Sequence, residues 1–500
     1  MIIVQLIIIM RILYLDIDTL RADHLGCYGY HRNTSPNIDK MAQQGTIFSE
    51  CYASDVPCLP SRASLFTGRF GIHSGVVGHG GTAADLRLTG VERGFSDPFK
   101  DQCWIAMLSR SQFYPVSISP FAERHSAYWF CAGWKEMYNP GLRGHETADN
   151  VIPYAEDWLK RRGKKDNWFL HINTWDPHTP YRTPLDFENP FKDDPLPSWI
   201  TQDIIDKHRE SYGWHSAKDL WGFGYRIEKR RSKYFPRAGV SEIKDLDDYR
   251  VWIDGYDVGI RYADELLGRI VGILKNLEIY DDTLIIISSD HGESQGELNV
   301  YGDHATACHI VNRIPMIVKW PNKEWKKQYD NLIYQVDVAA TIIESVGQKV
   351  PDFWDGRSFY TEIESGKEFG REYLVLSQNA LSCQRAVRFD NWTLIRTYHT
   401  GLKNYPEIML FDYENDFHMI KNLADERPEI VSKGLNILDR WHKEMMKNSS
   451  SDCDPMWTVI REGGPEHTRY DLEKYTKVLK KTGREHLIKG ILDRKESYLS

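Results

Sequence analysis

The sequence predicts an α/β protein: a large mixed, mostly parallel sheet flanked by helices, followed by a smaller C-terminal α+β subdomain. Three observations carry this. Apolar strand-like runs at Arg11–Asp18, Asn167–Asn173, Asp282–Asp290 and Ile314–Lys319 alternate with helical stretches, the pattern of a parallel sheet wrapped by helices. Asp16, Asp18, His178, Asp290 and His291 all fall at or just after the ends of those strands, where open α/β sheets hold their ligands. After about residue 365 the pattern changes to short strand-like runs over Tyr373–Ile395 and a helical stretch at 426–447.

Taken in order, Arg11-Ile-Leu-Tyr-Leu-Asp-Ile-Asp18 reads as a buried strand ending in acid, and residues 36–47 as a helix. Cys58 stands at the N-cap position of a second helix: Pro60 suits its first turn, and Thr67-Gly68 offers a stop. A long helix fits 252–276, with apolar residues at Ile253, Tyr256, Ile260, Ala263, Leu267, Ile270 and Leu274. Residues 183–250 read as an irregular insertion whose basic stretch, Arg226–Lys233, is a solvated surface. The division is a 1–10 extension, a main domain over 11–365, and a 366–500 subdomain with a tail.

Of 500 residues, 41% are hydrophobic and 27% charged, a soluble globular composition. The net charge of −8 argues against nucleic acid as a partner, and any anionic substrate must be drawn by local positive charge. Eight irregularly spaced cysteines form neither a disulfide framework nor a zinc pattern. The apolar Met1–Met10 stretch has no basic lead and no small-residue cleavage site, and is too short to span a bilayer. Met10 reads as a start, with no stable membrane insertion. The chain is cytoplasmic by default; periplasmic or secreted placement stays open.

The chemistry gathers around Cys58. A helix start favours an anion, Arg62 adds a fixed positive charge, and together they are expected to lower the thiol pKa. Asp16 and Asp18, two apart on a strand, face one way and join Asp290 and His291 as candidate ligands for one divalent cation. Oxygen-rich ligation favours calcium, then magnesium, over zinc.

Residues 58–69, Cys-Leu-Pro-Ser-Arg-Ala-Ser-Leu-Phe-Thr-Gly-Arg, resemble the signature of the formylglycine-dependent (type I) sulfatases of the alkaline phosphatase superfamily. Leu15–Gly29 is similar to that family's first metal motif, with Thr19 in place of a second aspartate. Ser289-Asp-His-Gly-Glu293 is similar to its second. Gln335–Glu344, Asp355–Ser358, Leu410–Asp416 and Asn422–Ala424 resemble later segments, extending the resemblance over roughly residues 11–445.

The resemblance implies a sulfuric ester hydrolase in which a formylglycine-generating enzyme or anaerobic maturase oxidises Cys58 to an aldehyde. The hydrated aldehyde attacks sulfur and completes the shell of the cation held by Asp18, Asp290 and His291. Asp16 is this sequence's own candidate for the missing carboxylate. The resemblance further implies that Arg62 stabilises the hydrate, His178 protonates the departing alcohol and His125 assists release. Arg124 stands in for a family lysine as a substrate contact. His309 takes the place of a sulfate-binding lysine, and His304 is a further substrate contact.

The expected substrate is a sulfated small molecule or oligosaccharide, and the carbohydrate reading includes a glycosaminoglycan fragment. Two alternatives share the architecture. One is a phosphonate monoester or phosphodiester hydrolase. The other is a sulfated-glycan-binding protein in which Cys58 stays unmodified.

Overall fold

A computed structural model describes residues 10–87, 98–221, 237, 239–323 and 325–499. The basic stretch Arg226–Lys233 and the first nine residues lie outside the described residues.

The main sheet has eight strands in the order Gln328–Tyr329, Thr46–Phe48, Met316–Lys319, Thr283–Ser288, Arg11–Ile17, Trp168–Thr174, Tyr114–Ile118, Glu136–Tyr138. The last five of these run parallel. Met316–Lys319 is antiparallel to both neighbours, which makes the sheet mixed. Residues 46 and 47, read from sequence as the end of a helix, belong to the strand Thr46–Phe48 because Gly45 closes the helix Pro36–Gln44. The long helix begins earlier than its apolar pattern, at Leu246, because Asp245 caps it by accepting from the Asp247 and Asp248 N–H groups.

Side-chain alternation divides the core. Leu13, Leu15 and Ile17, with Leu170, Ile172, Ile285 and Ile287, face the helices Pro36–Gln44, Ala148–Arg162 and Leu246–Asn276. Ile12 and Tyr14, with Phe169, Leu284 and Ile286, face the helices Cys58–Thr67, Trp104–Arg110 and Gln335–Ser345. Asp16 and His171 continue that second register, so the pleat aims them towards the helix that Cys58 opens.

In the C-terminal part, Tyr373–Gln378, Cys383–Phe389, Trp392–His399 and Ile408–Asp412 form an antiparallel meander under the helix Pro428–Asn448. A fifth strand, Asp55–Val56, joins its edge in parallel with Ser377–Gln378. The two residues just before Pro57 and Cys58 are therefore pinned by the C-terminal sheet. Among the described residues, no helix is long and apolar enough to cross a membrane.

Candidate active site

The helix Cys58–Thr67 is buried along its whole length. Cys58 is its first residue rather than its cap, which is Pro57. It closes at Gly68 in the left-handed region (φ 74°), where a Cβ would collide with the Trp354 ring. Cys58 and Arg62 stand one turn apart and share a face directed at the strand ends.

The Cys58 Sγ lies 3.2 Å from His291 Nε2 and 3.9 Å from Asp18 Oδ1. Burial pushes the thiol pKa well up, and the charges of Asp18 and Asp290 add to this against Arg124 and Arg62. The expected lowering does not occur: burial, with two carboxylates beside the sulfur, disfavours the thiolate. A buried neutral thiol is a poor nucleophile.

Ligand atoms of Asp18, Cys58, Asp290 and His291 all lie within 4.8 Å of one another. Burial and the neighbouring Asp290 push the Asp18 carboxyl well above the usual range. Arg62 Nη1 stands between the pair, 3.0 Å from Asp18 Oδ2 and 2.6 Å from Asp290 Oδ2. His291 donates Nδ1–H to the Gly292 carbonyl at 2.8 Å, which leaves Nε2 towards the group. Burial pushes its pKa down to about 4, so it stays neutral as a ligand must. Thr19 Oγ1, beside Asp18, is buried with no partner among the described residues. Two converging carboxylates, a neutral imidazole and an unpartnered hydroxyl fit a divalent cation.

Asp16 is not in that group. Asp16 and Asp18 face one way, since both bond Arg62, but of the two only Asp18 has an oxygen within reach of Cys58, Asp290 and His291. Asp16 instead holds Arg62 through two hydrogen bonds, Nε to Oδ2 at 2.8 Å and Nη2 to Oδ1 at 3.1 Å, and lies 3.3 Å from His171 Nε2. Burial opposes its charge, but Arg62 and His171 hold its pKa below the ordinary value. The role left to it is to position Arg62.

Arg124 and His125 end the short helix Phe121–Arg124. The Arg124 guanidinium lies 3.1 Å from the centroid of the Trp175 ring, and its Nη1 has no partner among the described residues. His125 Nε2 is likewise buried and unpartnered there. His178 stacks on Trp175 at 4.5 Å. Its Nδ1 donates to the Thr179 carbonyl, which leaves Nε2 as the nitrogen available for chemistry. Glu293 anchors this loop by accepting from Thr179 N at 3.2 Å and Tyr181 OH at 2.9 Å. The His304 ring stacks on His291 at 4.6 Å, and a ring nitrogen groups with Cys58 and His291.

His309 falls elsewhere. Its Nε2 donates to the Phe417 carbonyl at 2.6 Å, and its Nδ1 meets Thr393 Oγ1 at 3.0 Å. With both nitrogens engaged under the C-terminal sheet, it is a core histidine, and no sulfate contact is left to it. His304, five residues earlier on the same loop, occupies the site instead.

Four neighbours escape the sequence reading. His171 shares the pleat of Asp16, a signal that strand parity contained. Arg182 follows the His178 loop, and its Nε and Nη1 are buried without partners among the described residues. The ring of His79, in Gly78-His79-Gly80-Gly81, lies 5.0 Å from that of His125 at a tilt of 47°. His467 reaches His79 from the far end of the chain, and no local pattern marks it.

Residues 11–347 match the sulfatase family model, and residues 301–448 match the C-terminal model of N-sulphoglucosamine sulphohydrolase. The chain belongs to the sulfatase family and is a sulfuric ester hydrolase of that family. It is 21% identical over 506 residues to the N-acetylglucosamine-6-O-sulfatase of Bacteroides thetaiotaomicron, covering 91% of this chain and 89% of the relative. Its fold is similar to that of a protein solved in complex with its substrate D-glucosamine-2-N,6-O-disulfate (TM-score 0.68, 18% identity, 90% of this chain and 99% of that one). It is also similar to the phosphonate monoester hydrolase of Silicibacter pomeroyi (TM-score 0.65, 19% identity, 92% and 100%).

Proposed function

We propose that this chain hydrolyses the sulfate monoester of a sulfated sugar, after a maturation enzyme has oxidised Cys58 to formylglycine. A divalent cation, calcium by preference, is held by Asp18, Asp290, His291 and the converted residue 58. The observation that carries the reading is the convergence of Cys58, the four-residue ligand group and unpartnered cationic or N–H donors on one end of the sheet. A bound cation supplies charge neutralisation at the sulfate oxygens, and formylglycine supplies a hydroxyl nucleophile where the thiol is inert.

The chain's own residues do the rest. Arg62, fixed by Asp16, holds positive charge between the two ligand carboxylates. Arg124, whose charge reaches both Cys58 and Asp18, offers a free donor to a sulfate oxygen. His304 offers a second. His178, its Nδ1 fixed by a backbone carbonyl, presents Nε2 to the leaving oxygen and gives it a proton when the ring is doubly protonated. His125 takes a proton as the product forms. The sugar reading is supported by the sulfated amino sugars on which the relative and the solved structure above are named as acting.

Mass spectrometry of the peptide containing Cys58, from protein made in its native host, tests the nucleophile: the aldehyde is expected. Turnover of an aryl sulfate, an aryl phosphonate and D-glucosamine-2-N,6-O-disulfate tests the substrate. Faster cleavage of the phosphonate than of either sulfate would favour the phosphonate hydrolase. Unmodified cysteine without turnover would favour a binding protein.

A further inference from the structure

Residues 449–499 lie beyond both family matches, yet they are not a loose tail. The helix Pro455–Arg461 packs Met456, Val459 and Ile460 against Val77 and Ala83, in the segment that follows the Cys58 helix. Thr82 Oγ1 donates to Glu462 at 2.5 Å, and Arg87 Nη1 donates to the Cys453 carbonyl at 3.0 Å. Further on, Arg484 grips Asp219 with bonds of 2.9 and 2.8 Å, and Tyr475 OH donates to the same carboxylate at 2.9 Å. Between these two attachments the backbone N–H of His467 donates to the Ala380 carbonyl at 3.2 Å. Its ring points inward, with Nε2 2.8 Å from His79 Nδ1.

Two neutral imidazoles in that contact share one proton. When His467 Nε2–H donates, His79 must carry its own proton on Nε2. His79 Nε2 is buried and has no partner among the described residues. The His79 ring lies 5.0 Å from that of His125 and 6.2 Å from that of His304. His304, only 8% exposed, also has an unpartnered Nε2. Arg124 and Arg182 add unpartnered N–H groups to the same surroundings. The nearby acid, Asp303, is already paired with His215 at 3.0 Å and His304 at 2.9 Å. The cluster therefore includes unpartnered N–H donors on His79, Arg124 and Arg182, which suit an oxyanion.

We propose that His467 is a positioning residue. By donating to His79 Nδ1 it fixes the tautomer that presents His79 Nε2–H to a second anionic substituent, a sulfate or a carboxylate, on the sugar that carries the scissile ester. The inference rests on the sulfated-sugar reading above and assigns the C-terminal segment to the wall of the substrate site.

The test measures binding of three probes to the full chain carrying Cys58→Ala, so that no turnover intervenes. D-glucosamine-2-N,6-O-disulfate offers a second sulfate, glucuronic acid 2-sulfate offers a carboxylate, and D-glucosamine 6-sulfate offers neither. His467→Leu, which cannot donate, is expected to weaken the disulfate or the uronate about 10-fold more than the monosulfate. His467→Gln, whose amide can still donate to His79 Nδ1, is expected to restore most of that selectivity. Should His467→Leu fail to fold, His467→Asn, too short to reach His79, takes its place.

Equal weakening of all three probes, or none, overturns the proposal. If wild-type protein hydrolyses sulfated sugars while the His467 variants keep its selectivity, this inference alone fails. If His467 governs selective binding but no ester is cleaved by the wild type, the hydrolase reading alone fails.

Discussion

Arg62 grips Asp16 side-on, with parallel hydrogen bonds of 2.8 and 3.1 Å, while its Nη1 reaches past to Asp290 at 2.6 Å. One guanidinium thus separates a supporting carboxylate from the ligand carboxylates. Asp16→Asn removes the charge and keeps the shape. It is expected to cost about 3 kcal/mol of stability, the scale for breaking a buried ion pair, and to leave bound cation at the wild-type stoichiometry. Thermal unfolding and elemental analysis read the two effects. Loss of the cation at unchanged stability would make Asp16 a ligand.

Asp290→Ala removes a proposed ligand carboxylate and the acceptor of the Thr19 and His291 backbone N–H groups. Cation content is expected to fall to background, and kcat/KM on an aryl sulfate by at least about 100-fold, roughly 2.7 kcal/mol of transition-state stabilisation. Chelation of the wild type should reproduce the loss, and added calcium should reverse it more fully than magnesium. Activity that survives exhaustive chelation would count against the cation.

His178 must be doubly protonated to act as an acid at Nε2, because its Nδ1 proton is committed to Thr179. Burial and Arg124 push its pKa well down. The acid form is therefore scarce at neutral pH and grows as pH falls. Turnover of a sulfated sugar should rise on acidification until the cation site is lost. His178→Ala should remove that acid limb and impair the sugar about 100-fold more than an aryl sulfate, whose leaving group needs little protonation. Equal losses on both substrates would assign the proton to another group.

His309 bears on stability instead. Its pKa falls from 6.5 to about 3 through burial, so the native state holds it neutral. Below pH 6.5 the unfolded chain binds a proton that the native state refuses, and stability falls by up to about 1.4 kcal/mol per pH unit until about pH 3. His309→Gln should flatten this acid limb in denaturation curves taken between pH 6.5 and 4. Activity per folded molecule should stay near wild type. A selective rise in KM for the sulfate would return His309 to the site.

The strands and the Cys58 helix were legible because burial writes itself as period-two and helical patterns, and because the first-turn proline and the closing Gly68 are local signals, although the cap was read one residue late. The fate of Asp16 was not. Spacing of two predicted a shared face, and both carboxylates do meet Arg62, but only the packing of Cys58, Asp290 and His291 around Asp18 decides which one joins the ligand group. For the histidines, a motif count located a loop but not the residue within it. His304 faces Cys58 while His309 turns under the sheet, and only packing against Thr393 and Phe417 separates them. His467 was invisible for a plainer reason: its partner His79 is remote in sequence, and neither residue carries a local pattern.

The edge strand Asp55–Val56 has a further bearing on how the molecule is made. Its sheet partner, Ser377–Gln378, is synthesised long after it. A chain still emerging from the ribosome cannot lay this strand down, or seat the cysteine that follows, until most of its length has been translated. In the finished fold Cys58 is wholly enclosed. On the maturation proposed above, the interval of synthesis gives the oxidising enzyme an open sulfur, before Ser377–Gln378 pairs with the strand that leads into it.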